Sequence, residues 1–327
     1  MFRPGRPVGL ILAGVVALFV VGGLTLKMGS VSLTWHEVFS GLTSDSDPLA
    51  RNIVWQIRFP RLVDGMLIGA ALAVSGSLLQ GVTRNPLADP TILGVTAAAG
   101  LASAIAIVAN PQVPQWGIAM ACAGGGLTGA GVLYFIAYRG AVSPVRLALA
   151  GVALSALFGA AIVGLLSSSR TFLQTSLGFL AGGLYGSEWR DFHAALPYVL
   201  PALGGAFLLG GRLNVLALGD EVAAGLGVLT DRTRLLILAV AGILTGAAVS
   251  IAGLVSFVGL VCPHIARFTV GSDHRLLIPV AALYGAILVT AADLAARLVI
   301  SPSEIPMGII TAGVGAPFLL YLVKFRG

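Results

Sequence analysis

Apolar residues in this chain run in long unbroken blocks, at about 8–26, 62–82, 92–109, 116–137, 147–167, 194–211, 235–260, 277–296 and 305–323. Neither the alternation of a half-buried strand nor the one-sided stripe of an amphipathic helix interrupts them. Each block is near or above the ~20 residues that carry a helix across a ~30 Å hydrocarbon layer. Polar and charged positions gather between blocks. In lipid every backbone group needs an internal partner, which leaves helices for segments of this length. The pattern predicts an all-α, polytopic membrane protein whose 327 residues form a single transmembrane domain.

Composition strengthens that expectation. Only 10% of residues are charged and 57% are hydrophobic, whereas soluble domains carry about 25% charge. The 44 glycines follow no Gly-x-y period; they suit helices that approach closely in a bilayer. A net charge of +6 raises the question of nucleic acid, but the basic residues sit singly at block ends, where they orient the chain in a membrane. Cys122 and Cys262 both fall inside apolar stretches, as small buried hydrophobes rather than a disulfide or metal pair. Block 8–26 is long for a signal peptide and lacks a small-x-small cleavage site, so it is expected to be the first membrane helix, with Arg3 and Arg6 inside.

Counting crossings from each end exposes one inconsistency. From the amino terminus, alternation puts Arg139 and Arg146 inside, Arg170 to Arg190 outside and Arg212–Arg234 inside. From the carboxyl terminus, Lys324 and Arg326 inside require residues 235–273 to leave and return on the same side. One crossing cannot do that; two can, with the break supplied by Gly246, Gly253, Gly259 and Pro263. Ten crossings result, with both termini cytoplasmic in a cell inner membrane and twelve of the 19 basic residues inside. A faint internal repeat accompanies the count. Gly69-Ala70-Ala71, Gly76 and Pro86 share their spacing with Gly246-Ala247-Ala248, Gly253 and Pro263, as in inverted-repeat transporters.

Candidate chemistry is sparse. Asp64 and Asp293 lie near block ends, and no carboxylate or histidine relay crosses the membrane, as an ion-coupled secondary transporter would need. A phosphate-binding loop is excluded, since Lys27 precedes Met28 and Lys324 precedes Phe325. No catalytic constellation or metal-ligand cluster stands out; His264 has no second ligand at useful spacing. An enzyme is therefore not expected. The longest inside loop, 212–234, holds Asp220-Glu221 followed by Val222, Ala223 and Leu226 at helical spacing. An acidic start followed by apolar positions predicts a short helix offered to a soluble partner.

Five stretches then carry a resemblance: Arg58-Phe-Pro-Arg61; Gly81-Val-Thr-Arg84-Asn85-Pro86-Leu87-Ala88-Asp89-Pro90; Gly219-Asp-Glu-Val-Ala-Ala-Gly-Leu-Gly227; Gly259-Leu-Val-Cys-Pro263-His264-Ile-Ala-Arg267; and Glu304-Ile-Pro306-Met-Gly308 through Gly315-Ala-Pro317. In this order, from about residue 50 to 325, they resemble the iron-chelate, haem and cobalamin uptake permeases of ABC importers. The resemblance implies ten helices per subunit and two subunits lining one pathway. It implies two ABC ATPase partners, which would bind ATP and magnesium, with no cofactor in this chain. It also implies a periplasmic or extracellular substrate-binding protein.

What it implies for residues is equally specific. Asp220, Glu221, Ala224, Gly225, Leu226 and Gly227 match the segment that seats in the ATPase. Arg58, Arg61 and Arg297 match arginines that receive the binding protein; planar guanidinium forks suit carboxylates. Gln80, Asn85, Pro86, Pro263, His264, Pro306, Gly308, Gly315 and Pro317 are candidate helix-break or hinge positions. The expected cargo is a ferric siderophore, with haem or cobalamin as alternatives, and the expected second permease is an identical copy, a heterodimer being the other possibility. Residues 1–50 carry little of the motif, and the loop 28–57, with Trp35, His36, Asp45 and Asp47, has no assigned role.

Overall fold

The computed structural model describes residues 5–29, 31–43, 47–138, 143–167, 178–301 and 303–326. Arg3, Asp45, Arg139 and Arg170, used above in counting or in delimiting loops, lie outside them. All regular elements among the described residues are helices. They are α1 (Gly5–Lys27), α2 (Trp35–Thr43), α3 (Pro48–Arg51), a π-helical turn (Asn52–Arg58), α4 (Phe59–Thr83), α5 (Val95–Ala109), α6 (Gln115–Ala137), α7 (Pro144–Ser167), α8 (Trp189–Ala217), α9 (Asp220–Gly225), α10 (Thr230–Ala252), α11 (Val258–Val270), α12 (His274–Leu298) and α13 (Met307–Arg326). Seven described helices are long and apolar enough to cross a membrane, and α5, α11 and α13 are shorter apolar helices.

At the centre stands α4, buried along nearly its whole length from Pro60 to Thr83. A helix that is apolar on every side belongs inside a bundle. Its neighbours can crowd it because the contact positions are small. A Cβ at Gly69 would lie 2.2 Å from the Gly285 carbonyl oxygen of α12, and one at Gly76 would lie 1.9 Å from that of Gly259 in α11. No side chain fits either place; backbones touch there. The hydroxyl of Ser75 adds a polar tie to α10, donating to the Ala241 carbonyl at 2.9 Å and meeting Thr245 at 2.8 Å.

Three expectations need correction. The interruption in 235–273 begins at Gly253, one of the expected positions, and runs to Phe257 between α10 and α11, with φ 66° at Gly253 and 68° at Phe257. Gly246 and Gly259 lie inside those helices. Pro263 sits inside α11 and does not break it. Proline removes an N–H and frees the carbonyl four residues back, here that of Gly259. The side chain of Gln80 fills the gap, its Nε2 donating to the Gly259 carbonyl at 3.1 Å, while its Oε1 accepts from Arg267 at 2.9 Å. Gly308, Gly315 and Pro317 likewise lie within one continuous α13, with Pro306 just before it. Gly308 packs on the Ala181 carbonyl and Gly315 beneath Phe257. His264 continues α11, its ring against Phe318.

The second correction concerns the loop 212–234, which is shorter than the polar spacing suggests. Residues 212–217 complete α8 and Thr230 already opens α10. The third concerns the repeat spacing. Gly69 and Gly246 both mark close helix contacts, Gly246 against the Cys122 carbonyl. Beyond them equivalence stops, because Gly76 lies mid-helix whereas Gly253 ends one.

Candidate functional site

Charged side chains collect at the two ends of α4. Arg61 and Arg84 are separated by about 35 Å at the ~1.5 Å rise of an α-helix.

At the first end, Arg58, Arg61 and Arg297 come together, all nearly buried at 5%, 9% and 5% exposure. Arg61 donates from Nε and Nη2 to Asp293 at 2.8–3.0 Å, and from Nη1 to Glu304 at 2.8 Å. Arg297 Nε lies 3.2 Å from Asp293 Oδ2, one of the two oxygens that Arg61 also holds, one turn along α12. Arg58 donates to the Leu26 and Lys27 carbonyls at 2.7 and 2.8 Å, and to that of Val31. A cation among the last carbonyls of α1 completes that helix end, where the peptide dipoles leave negative charge. The three arginines therefore have partners within the chain, and their heads lie just beneath the surface.

Around them runs an aromatic rim. Trp55 stacks on Phe59 at 5.2 Å, Trp189 leans on both, and its Nε1 donates to the Trp55 carbonyl at 2.9 Å. Lys27 lies 5.1 Å over the Trp35 ring. Amphipathic rings of this kind settle at a membrane–water boundary. The π-helical turn Asn52–Arg58 directs Arg58 inward; such turns recur at functional positions. A cavity of about 600 Å³ opens here, walled by Phe179, Leu184, Tyr185 and Met307, with Arg61 and Glu304 as its charged side. One turn below Arg61, Asp64 is fully buried beside Ser187 and Asp191.

At the second end, Asp220 is gripped twice. Arg234 donates to both its oxygens, at 2.9 and 2.7 Å, and Arg84 donates to one of them. The Arg234 hydrogen bond, with Arg84 behind it, holds the Asp220 carboxyl below the usual carboxylate range. Arg84 also donates to the Leu216 carbonyl at 3.1 and 2.7 Å, sealing the end of α8. It does so from a left-handed backbone (φ 48°) that terminates α4. Asn85 and Pro86 form the turn beyond, where the Asn85 side chain accepts from the Leu87 N–H at 2.9 Å. Nearby, Asp273 caps α12 through the Arg275 N–H, which with Asn214 lowers its pKa.

Between these anchors α9 points outward. Glu221, Ala224, Gly225 and Gly227 are exposed, as are Val222 at 50% and Leu226 at 63%. Ala223, expected on the outer face, is fully buried instead. Leu218 and Leu229 extend the exposed apolar surface. Sequence spacing missed Arg84, Arg234 and Glu304 as partners because their contacts span 14 to 243 residues. No local signal exists for such pairings. Among the described residues no group of three His, Cys, Asp or Glu side chains could hold a metal ion, and Cys122 and Cys262 are buried free thiols.

Comparison with known proteins agrees over the full length of the fold. The model of the FecCD transport family matches residues 8–325. The chain is 46% identical to the cobalamin import system permease protein BtuC of Halobacterium salinarum, over 85% of this chain and 74% of that one. It is 38% identical to the iron(3+)-hydroxamate import system permease protein FhuB of Bacillus subtilis, over 96% and 83%. An inward-facing metal-chelate type ABC transporter superposes with TM-score 0.85 at 30% identity, over 97% of this chain and 99% of that one. With matches this extensive in sequence and in shape, the chain belongs to the FecCD transport family.

Proposed function

We propose that this chain is the membrane-spanning subunit of a binding-protein-dependent ABC importer for an iron chelate, haem or cobalamin, with a ferric siderophore as the leading cargo. The observation that carries the reading is the separation of two unlike ends on one buried helix. One end presents a cavity walled by Arg61, Glu304, Phe179 and Tyr185; the other presents an exposed apolar helix, α9. Exposed Val222, Leu226 and Leu229 on a segment outside the spans suit insertion into a groove of a soluble protein. In this reading Glu221, Ala224, Gly225, Leu226 and Gly227 meet an ATPase on the cytoplasmic side, Asp220 ties their helix back to the bundle, and the arginine end faces outward. The seven long and three short apolar helices supply ten crossings, and both termini lie in the cytoplasm of an inner-membrane protein.

Docking of a soluble binding protein belongs to the outer end. Two guanidiniums there, Arg61 and Arg297, pair with Asp293 and Glu304, and Arg58 adds a third positive charge held by neutral carbonyls, which attracts an acidic surface. Glu304, a quarter exposed, is the replaceable partner of Arg61. A carboxylate from the docked protein would take its place. Two permease copies, taken as identical, would share the cavity, and alternating access driven by two ATPases would move cargo through it.

The test is reconstitution with candidate ATPase and binding-protein partners. Leu226→Asp is expected to abolish ATPase copurification and uptake, leaving the permease folded. Copurification and transport at the parental level would contradict the assignment of α9. Uptake that persists without any ATPase would instead favour an ion-coupled carrier.

A further inference from the structure

Asp220 does not share the outward aspect of its neighbours on α9. Its carboxylate turns back to the bundle and joins three elements: Arg84 at the end of α4, Arg234 near the start of α10, and, through Arg84, the Leu216 carbonyl near the end of α8. Arg234 is 2% exposed, so its fork is fixed by packing. Arg84 reaches the same carboxylate from a left-handed backbone, a conformation that costs energy in a residue with a Cβ and persists only where the surroundings require it.

The far end of α4 has a matching grip. Arg61 holds Asp293 of α12 and Glu304 at the cavity wall. Between the two grips α4 is in backbone contact with α12 at Gly69 and with α11 at Gly76. Close-packed contacts of this kind transmit displacement rather than absorb it.

We propose that Asp220 is a positioning residue that passes movement of α9 to α4 through Arg84 and to α10 through Arg234, so that α4 carries it to the Arg61–Glu304 wall of the cavity. This rests on the reading of α9 as the ATPase contact. It assigns Val222 and Leu226 to holding the partner and Asp220 to transmitting its motion. Arg84 serves as the link, since its fork binds a carboxylate and a carbonyl together where a point charge holds one.

The test uses the complete importer in proteoliposomes, supplied with cyanocobalamin or a ferric hydroxamate, whichever the parent complex takes up. Asp220→Asn and Arg84→Gln are expected to retain the ATPase and its hydrolysis while uptake per ATP hydrolysed falls at least tenfold. Arg84→Lys should recover part of the loss. The double variant should be no worse than the worse single, because both changes cut one link. Uptake per ATP within twofold of the parent in Arg84→Gln, or losses that multiply in the double variant, would overturn the proposal. So would loss of ATPase copurification in the Arg84→Gln complex. If Asp220→Asn fails to assemble, Arg84→Gln decides alone, since its side chain is one-third exposed. A Leu226→Asp complex that still copurifies and transports would remove the underlying reading of α9 and leave the uptake-per-ATP comparison standing separately.

Discussion

At the Arg61 end of α4 the ion pair is sealed, with side chains 10% and 2% exposed in Arg61–Asp293; at the Arg84 end they are 34% and 39% exposed in Arg84–Asp220. The residue types are identical and the surroundings are not. A sealed pair leaves an uncompensated charge when one partner is lost, whereas a half-wet pair can be replaced by water. The first arrangement suits a grip that moves with α4 as one body, and the second a link that shifts position as a partner moves. Arg234 is the hybrid, a buried fork on a half-exposed carboxylate, and it anchors the link to the bundle.

The contrast is open to direct attack. Arg61→Ala is expected to cost about 3 kcal/mol, the low end for breaking a buried pair because Arg297 stays beside Asp293, and Arg84→Ala about 1 kcal/mol or less. Thermal midpoints of the two purified proteins in one detergent should differ widely. Equal shifts would erase the distinction between sealed and wet ends.

Rigidity between the ends comes next in size. Gly76→Ala must push apart α4 and α11, at about 1–3 kcal/mol, because its Cβ would meet the Gly259 carbonyl at 1.9 Å. An unchanged midpoint would mean the helices separate freely. Gln80→Leu should cost about 1–3 kcal/mol through the unpaired Gly259 carbonyl. Pro263→Ala restores an N–H in α11, so in that background part of the Gln80→Leu cost should disappear. A cycle with no coupling would deny that Gln80 serves the proline gap.

The smallest effect concerns acid. The folded pKa of Asp220 is depressed, so its contribution is present at neutral pH and through the ordinary carboxylate range near about 4. It is lost as pH falls through the lower folded value. Protease nicking within 218–229 should therefore rise only below that range. Onset near neutrality would contradict the clamp.

Much of the bundle is legible in the sequence because lipid imposes one rule on every span. The expected block 62–82 lies within α4, and 277–296 within α12. The split of 235–273 follows from charge at the two termini, and of the four expected positions Gly253 marks it while Gly246, Gly259 and Pro263 lie inside helices. Proline at 263 looks like a breaker until Gln80, far away in sequence, supplies the missing donor. Burial of the arginine trio is hidden for the same reason. Charge at a block end signals an interface, and only the fold reveals that Asp293, Glu304 and the α1 carbonyls already surround it. In the short α9 helix, periodicity groups Val222, Ala223 and Leu226 on one apolar face, and the fold turns Ala223 inward instead, since a helix of six residues has no long stripe to orient it.

The most direct test is sidedness. Tyr185, beside the cavity, and Leu226, on α9, are both exposed. Each can carry a single cysteine without interference from the buried native thiols. A membrane-impermeant maleimide applied to intact right-side-out vesicles is expected to label Tyr185→Cys and spare Leu226→Cys, with the reverse in inverted vesicles. Labelling of both from one side would contradict an outer mouth and an inner partner helix joined by α4.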